Sequence, residues 1–415
     1  MMKAVRAVCL FLGVCLFTQS ASAQFQVELP READLNRLGL TLNWWGQAVI
    51  DPQRDTITFL RADEQNVYAQ ASSGIITAFG GESGTRMWSN LIGRPDRESF
   101  PVTTNDEQVL VSIGMSVFAL DKASGNLQWE VVSPIHPSAP PQLTDRQLFV
   151  GTSDGSIYAY DIRMIDSLAR RGMLPQWIQR ARQWRFKTPR EITSTPVAVG
   201  TTVTFASQSG IVYGVSDGNK KLKFQFESDG KIETQLGATG DAIFVADTNA
   251  RLYCINTVTG AINWMFSSGA PINQQPIAIG SQVFVIPQRA GMSALSVVGG
   301  FEKWRQPEAV EFIAASESRI YAKDGEGRLL VMDRENGAIV GILNLRRYSL
   351  SISNERTDRI ILATPSGTVV SIREISSDYP VYHLYPERRP LLPMMAPEED
   401  APPADTSVEP AAGNL

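Results

Sequence analysis

Histidine and cysteine are almost missing from this 415-residue chain. There are two histidines, His136 and His383, and three cysteines. His136 lies in "SPIHPSAPP" and His383 in "YPVYHLYP", far apart in sequence, and no H-x-x-H, C-x-x-C or H-E-x-x-H spacing occurs. A built-in zinc site is therefore not expected. No G-x-S-x-G or other nucleophile motif is present either, so hydrolase chemistry has no sequence footing. Net charge is only −5 and no basic run of nucleic-acid type appears, which argues against a nucleic-acid partner.

Long apolar runs are scarce too. The one continuous stretch, Ala7 to Phe17, follows Lys3 and Arg6 and precedes Ala21-Ser22-Ala23. That is a secretory signal over 1–23 with an A-x-A cleavage site. Its core is too short for a permanent membrane helix, so no transmembrane segment is expected in the mature chain. Cys15 offers a rival reading, cleavage before a lipidated cysteine, but Val14 stands where a small residue is wanted. Cleavage at 23 leaves Cys254 as the sole cysteine, which excludes an internal disulfide and reads as a small core residue. The other end, 379–415, is a Pro-rich acidic tail. Its last part, "APEEDAPPADTSVEPAAGNL", carries five acidic residues and no basic ones, and reads as disordered.

What is abundant is repetition. The stretch "VFALDKASGNLQW" (117–129) has an apolar run, an Asp, a small polar turn ending in Gly, and a Trp four residues later. Copies are anchored at 76, 117, 157, 212, 252, 292, 329 and 369, nearly all about 40 residues apart. Eight copies at that period mark a propeller or solenoid. Within each copy, β-rich runs such as "QLFVGT", "AIFVAD" and "QVFVIP" alternate with turn clusters such as "SDG" and "PSG". These read as antiparallel hairpins. The Asp can bond backbone amides two residues on, the Gly supplies a positive φ, and the Trp offers an apolar face to the next copy. A fourth run precedes each pair, as in "STPVAVG" and "QQPIAIG". Four strands per 40 residues make a propeller blade.

The eighth copy lacks its Trp strand, while an orphan one, "LTLNWWGQAV", sits near the N-terminus. Taking Trp45 as its aromatic, that segment is expected to be the outer strand of the last blade, closing the ring. The fold expected is thus all-β: an eight-bladed β-propeller over 38–378, after a lead-in at 24–37. One repeat is interrupted at 162–182, "IRMIDSLARRGMLPQWIQRAR". Met164, Ile165 and Leu168 fall at helical spacing, Leu174, Trp177 and Ile178 form a second apolar group, and Gly172 and Pro175 break the run. A helical hairpin is expected. Five arginines oppose one acid there, so Arg170, Arg171, Trp177, Arg180 and Arg182 are candidate partner-binding residues for an acidic partner or a lipid headgroup, set against the plainer possibility of a decorated loop.

The run of strand, Asp, two residues, Ser/Thr-Gly, three residues and Trp resembles the pyrroloquinoline-quinone (PQQ)-type propeller repeat. "VFALDKASGNLQW", "LYCINTVTGAINW" and "ITAFGGESGTRMW" carry the likeness; "VYGVSDGNKKLKF" has Phe for Trp and "LLVMDRENGAIVG" loses the aromatic. Two branches of that family differ in what they imply. Quinoprotein dehydrogenases hold PQQ and calcium, with an adjacent-cysteine disulfide and long insertions over the cofactor. The other branch, typified by BamB of outer-membrane protein assembly, is non-catalytic. With one mature cysteine and one modest insertion, the chain resembles the second branch more. The resemblance implies no enzyme activity, no cofactor and no metal. It implies an extracytoplasmic, periplasmic or envelope-associated scaffold, monomeric, whose partners are envelope or outer-membrane proteins. The alternatives are a ligand-binding or sensing propeller and a PQQ/calcium dehydrogenase. For the last, Asp96, Glu98, Glu191, Glu233 and Asn273 on the inter-blade loops would be the ligand candidates.

Overall fold

A computed structural model describes residues 29–51, 53–94 and 97–384 of the chain. In blade two the strands are Thr103–Thr104, Gln108–Ile113, Ser116–Asp121 and Leu127–Val132, hydrogen-bonded in that order. Gln108–Ile113 is buried along its whole length, whereas Leu127–Val132 is largely exposed. The middle strands are covered by neighbouring blades on both faces, which is why they read as continuous apolar runs rather than alternations. Eight such four-stranded antiparallel sheets follow one another round the ring. The last consists of Leu350–Ser351, Ile360–Ala363, Thr368–Glu374 and, from the other end of the chain, Leu40–Gln47.

The repeat motif has a local reason at each position. Asp121 Oδ1 accepts from the Ser124 amide at 2.8 Å, and Asn256 and Asp333 bond their own turns in the same way. Every blade then slips its register by one residue just before the aromatic position, which Gly341 occupies in blade seven. Ala119 faces Trp129 and Leu120 faces Leu127, leaving Gln128 unpaired; Cys254 faces Trp264 and Ile255 faces Ile262. Such a bulge adds twist and turns the following side chain into the seam. The partner across from the aromatic is small: Ala78, Ala119, Ala159, Gly214, Cys254, Ala294 or Ser371. Cys254 is accordingly a buried core residue.

The bulge also corrects one expectation. In the closing strand Leu42 pairs with Ile372 and Trp44 with Ser371, so Asn43 is the extra residue. Trp44, not Trp45, fills the seam: Trp44 is 6% exposed and Trp45 is 45% exposed. A one-residue slip sends a side chain to the opposite face, and counting positions without the bulge selects the wrong tryptophan.

Five seams carry a directed latch. The indole N–H of Trp44, Trp88, Trp184, Trp264 and Trp304 donates to a turn carbonyl of the next blade, on Gly81, Lys122, Asp217, Val297 and Arg334, at 2.5–3.0 Å. The turn glycine is needed for more than its φ of +73° at Gly125: a Cβ there would lie 2.5 Å from the Trp88 ring. Gly125→Ala is expected to destabilise the protein by about 2–4 kcal/mol, from left-handed strain plus displacement of a packed indole. Urea unfolding with an unchanged m-value would measure it; a loss under about 0.5 kcal/mol would show that the seam yields freely. Blade seven has Gly341 where the aromatic belongs, and Leu38 fills the gap, so close that a Cβ on Gly341 would meet it at 2.4 Å. Leu38 follows the short helix α1, Glu32–Asn36, whose Leu35 is buried among Tyr321, Leu343 and Tyr348.

Past Glu374 the described chain turns back against blade eight. Val381 N–H donates to Asp358, Tyr382 bridges to Thr357, and His383 N–H donates to Arg356 O. The His383 ring is depressed below its ordinary pKa by burial and by Arg334, against the raising effect of Asp358. Asp55 and Asp324 are also lowered: burial opposes this, but hydrogen bonds from Ser72 and Ser73, and from Arg328, outweigh it. Both signs favour neutral pH. The unfolded chain binds the His383 proton near pH ~6.5 while the folded chain does not, so stability falls as pH drops through that value. The lowered aspartates give a second loss below about pH 4. Urea midpoints across this range are expected to step down twice, and His383→Gln should erase only the first step; a flat profile from neutral pH to ~5 would contradict this. The expected secretory signal over 1–23, with Cys15, and the expected tail beyond 384 lie outside the described residues.

Candidate docking surface

The interrupted repeat is blade three. Asp161 ends its third strand and caps helix α2, Ile162–Arg170, accepting from the Met164 amide at 3.0 Å. Ile162, Ile165 and Leu168 are buried on Trp129, Val131, Tyr158 and Tyr160 of blades two and three. Met164, grouped with them by spacing, faces outward and is exposed. Gly172, at φ +66°, ends the helix. The second limb is a single 3-10 turn, Ile178–Arg180, rather than a second helix, and its Ile178 and Ala181 join the same cluster. Pro175 and the short span before the strand Arg182–Lys187 leave no room for more.

The insert changes the latch beneath it. The acceptor for Trp129 would be the Ile162 carbonyl by analogy with the other blades, but Ile162 opens α2 and its carbonyl turns into the helix. The buried Trp129 N–H makes no close hydrogen bond among the described residues, and the Asp166 carboxyl is the polar group it faces. Burial raises the Asp166 pKa, with Arg170 and Trp129 opposing.

The outer face of the insert is cationic. Arg170, Arg171, Arg180 and Arg182 are all exposed, as is Trp177. The Arg180 guanidinium lies 4.3 Å from the Trp177 ring centroid, a stacked cation–π pair held in the open. Arg170 Nε donates to Asp166 O at 3.3 Å, bracing the end of α2. The structure thus brings the five candidate residues onto one insert. The loop residues Glu98, Glu191, Glu233 and Asn273 sit on four different inter-blade connections, and Asp96 lies outside the described residues. Among the described residues no three His, Cys, Asp or Glu side chains converge. A second concave feature, an open groove of about 500 Å³, runs between α1 and the outer strand of blade seven, with Arg31, Asp34 and Asn344 on its walls. The turns of blades four to six carry more than their Asp and Gly: Lys220, Lys221, Val258 and Val298 on them are exposed. No helix among the described residues is long and apolar enough to cross a membrane.

Comparison with known proteins agrees with the geometry. The structure of BamB from Moraxella catarrhalis is similar at 15% identity and a TM-score of 0.62, covering 81% of this chain and 98% of that one. A computationally designed protein, Ika8, is similar at 14% identity and a TM-score of 0.62, covering 79% and 99%. At such identities the likeness shows the propeller fold alone. No curated protein matches in sequence. The family model for the outer membrane protein assembly factor BamB matches residues 72–223 and 223–370 in two consecutive spans. Residues 72–370 are most of the ring, and the chain therefore belongs to the BamB-type family of PQQ-like repeat propellers.

Proposed function

We propose that the protein is a non-catalytic interaction scaffold of the cell envelope, working in outer-membrane protein assembly on the periplasmic side. The observation that supports this most is the family match across the ring. The open, cationic insert on blade three adds the kind of surface a scaffold needs, since exposed aromatic and arginine side chains are favoured anchors. Its docking residues are Arg170, Arg171, Trp177, Arg180 and Arg182, and the surface they meet is acidic.

The test is cross-linked recovery of partners from an envelope fraction. Changing Arg170, Arg171, Arg180 and Arg182 together to Glu is expected to abolish recovery while shifting stability by under about 0.5 kcal/mol per site, as for surface charges away from the core. Recovery of the same partners by the reversed protein would assign the insert to mere decoration. Calorimetry with PQQ and calcium is expected to show no binding; micromolar affinity, about −8 kcal/mol, would overturn the scaffold reading.

A further inference from the structure

The insert is one part of a longer rim. It occupies the position of the Asp–Gly turn in blade three, and the same turns of blades four, five and six follow it around one edge. Their adjacency is direct: Trp184 of blade three bonds Asp217 in the turn of blade four, Phe224 of blade four packs on Gly260 of blade five, and Trp264 of blade five bonds Val297 of blade six. Along this edge the chemistry changes in order. Blade three offers the arginines and Trp177. Blade four offers Lys220 and Lys221, both exposed. Blades five and six offer aliphatic tips: Val258 is 65% exposed, Val298 87% and Phe301 61%.

The corresponding turn tips elsewhere are different. They carry Glu82 in blade one, Ala123 in blade two and Glu335 in blade seven. The inner turns beside them in blade two add Asp106 and Glu107. Basic and apolar outer-turn tips are therefore gathered on one half of the turn rim, where the inner turns also carry the exposed Asp145 and Asp241, and nothing in a hairpin turn asks for valine at its tip. Polar residues with local hydrogen bonds are what such tips favour.

From this sorting we infer that the turn rim of blades three to six docks on an anionic lipid surface, with the arginines and lysines at the headgroups and Trp177, Val258, Val298 and Phe301 at the acyl boundary. The inference rests on the reading of the insert as a docking site and names its partner. Three features favour a bilayer over an acidic protein. Val298 and Phe301 stand proud of the rim instead of lining a groove, which suits insertion into a fluid phase. Aromatic, aliphatic and basic side chains share one rim as in interfacial binding elements, with Trp177 among the arginines and the aliphatic tips beyond the lysines. The rim is extended over four blades, so many weak contacts add, each basic group near an anionic surface contributing about 1 kcal/mol, roughly fivefold in affinity.

The experiment is co-sedimentation of the mature protein with vesicles of phosphatidylglycerol and phosphatidylcholine, against phosphatidylcholine alone. Binding is expected only with the anionic lipid, and is expected to fall with added salt. Arg170, Arg171, Arg180 and Arg182 changed to Glu should weaken it at least ~100-fold. The pair Val298→Asp and Phe301→Asp, which leaves the insert intact, should weaken it roughly tenfold or more. Brominated lipid should quench tryptophan fluorescence, and Trp177→Phe should remove that quenching while Trp45→Phe, on the closing strand, should not. Absence of sedimentation with anionic vesicles, or wild-type binding by the tip pair, would overturn the inference. If the arginine reversal still abolishes recovery of envelope proteins while vesicles are never bound, the scaffold reading stands and the lipid assignment falls.

Discussion

Deleting residues 24–50 is expected to turn a cooperatively folding protein into an aggregating one. The strand Leu40–Gln47 pairs along its whole length with Thr368–Glu374, and the pairing is extended by Ala48 to Gly367 and by Ile375 to Gly39. Its removal strips the edge of a buried apolar strand containing Val369, Val370 and Ile372. Leu35, Leu40 and Trp44 leave with it, and Leu38 no longer fills the gap over Gly341. An exposed, flat apolar edge is a template for pairing with other chains. Size-exclusion chromatography and thermal unfolding should show soluble aggregate and a broad or missing transition. A truncated chain that stays monomeric and melts as sharply as the intact one would show that the ring does not depend on this strand.

The second large effect is expected at Arg359, whose side chain is 2% exposed. Its guanidinium forks onto Glu82 of blade one, with Nε and Nη2 each 2.9 Å from a carboxylate oxygen. It also bonds Ser377 O at 3.2 Å and Asp378 O at 3.3 Å, and lies beside Asp358, which is 3% exposed. One buried cation thus joins the closing blade, the first blade and the returning C-terminal segment. Removing it leaves Asp358 buried without its cation, and breaking such a buried cluster typically costs about 3–5 kcal/mol. Arg359→Ala should lower the urea midpoint by that amount, and Arg359→Lys should recover only part, since an ammonium cannot make the bidentate fork. A loss below about 1 kcal/mol would mean that water readily replaces the guanidinium.

The blades were legible in sequence because their signals are local. Asp121, Gly125 and Trp129 lie within nine residues, and the hydrogen bonds that fix their turn are made inside that window. The orphan strand was legible because the eighth repeat visibly lacked one. Trp44 was misread as Trp45 because a bulge carries no residue signature of its own; it shows only when registers are compared across blades. Leu38 and Arg359 could not be found at all. Their partners, Gly341 and Glu82, lie about 300 residues away in sequence, and neither residue belongs to a motif. The cationic insert stood out by composition, whereas Val258 and Val298 hid in positions read for turn chemistry alone.

The closing strand also fixes an order in time. Gln47 meets Thr368 across 321 residues. Each inner hairpin, by contrast, can zip as soon as its turn is complete. Closing so long a loop costs roughly 5 kcal/mol of chain entropy on the logarithmic scaling, repaid only when the whole last blade assembles at once. Refolding should therefore be rapid for the middle blades and limited by one late, topologically distant event. Until that event the N-terminal segment is an unpaired strand in need of protection, so the vulnerable phase of this protein's life is its birth rather than its service.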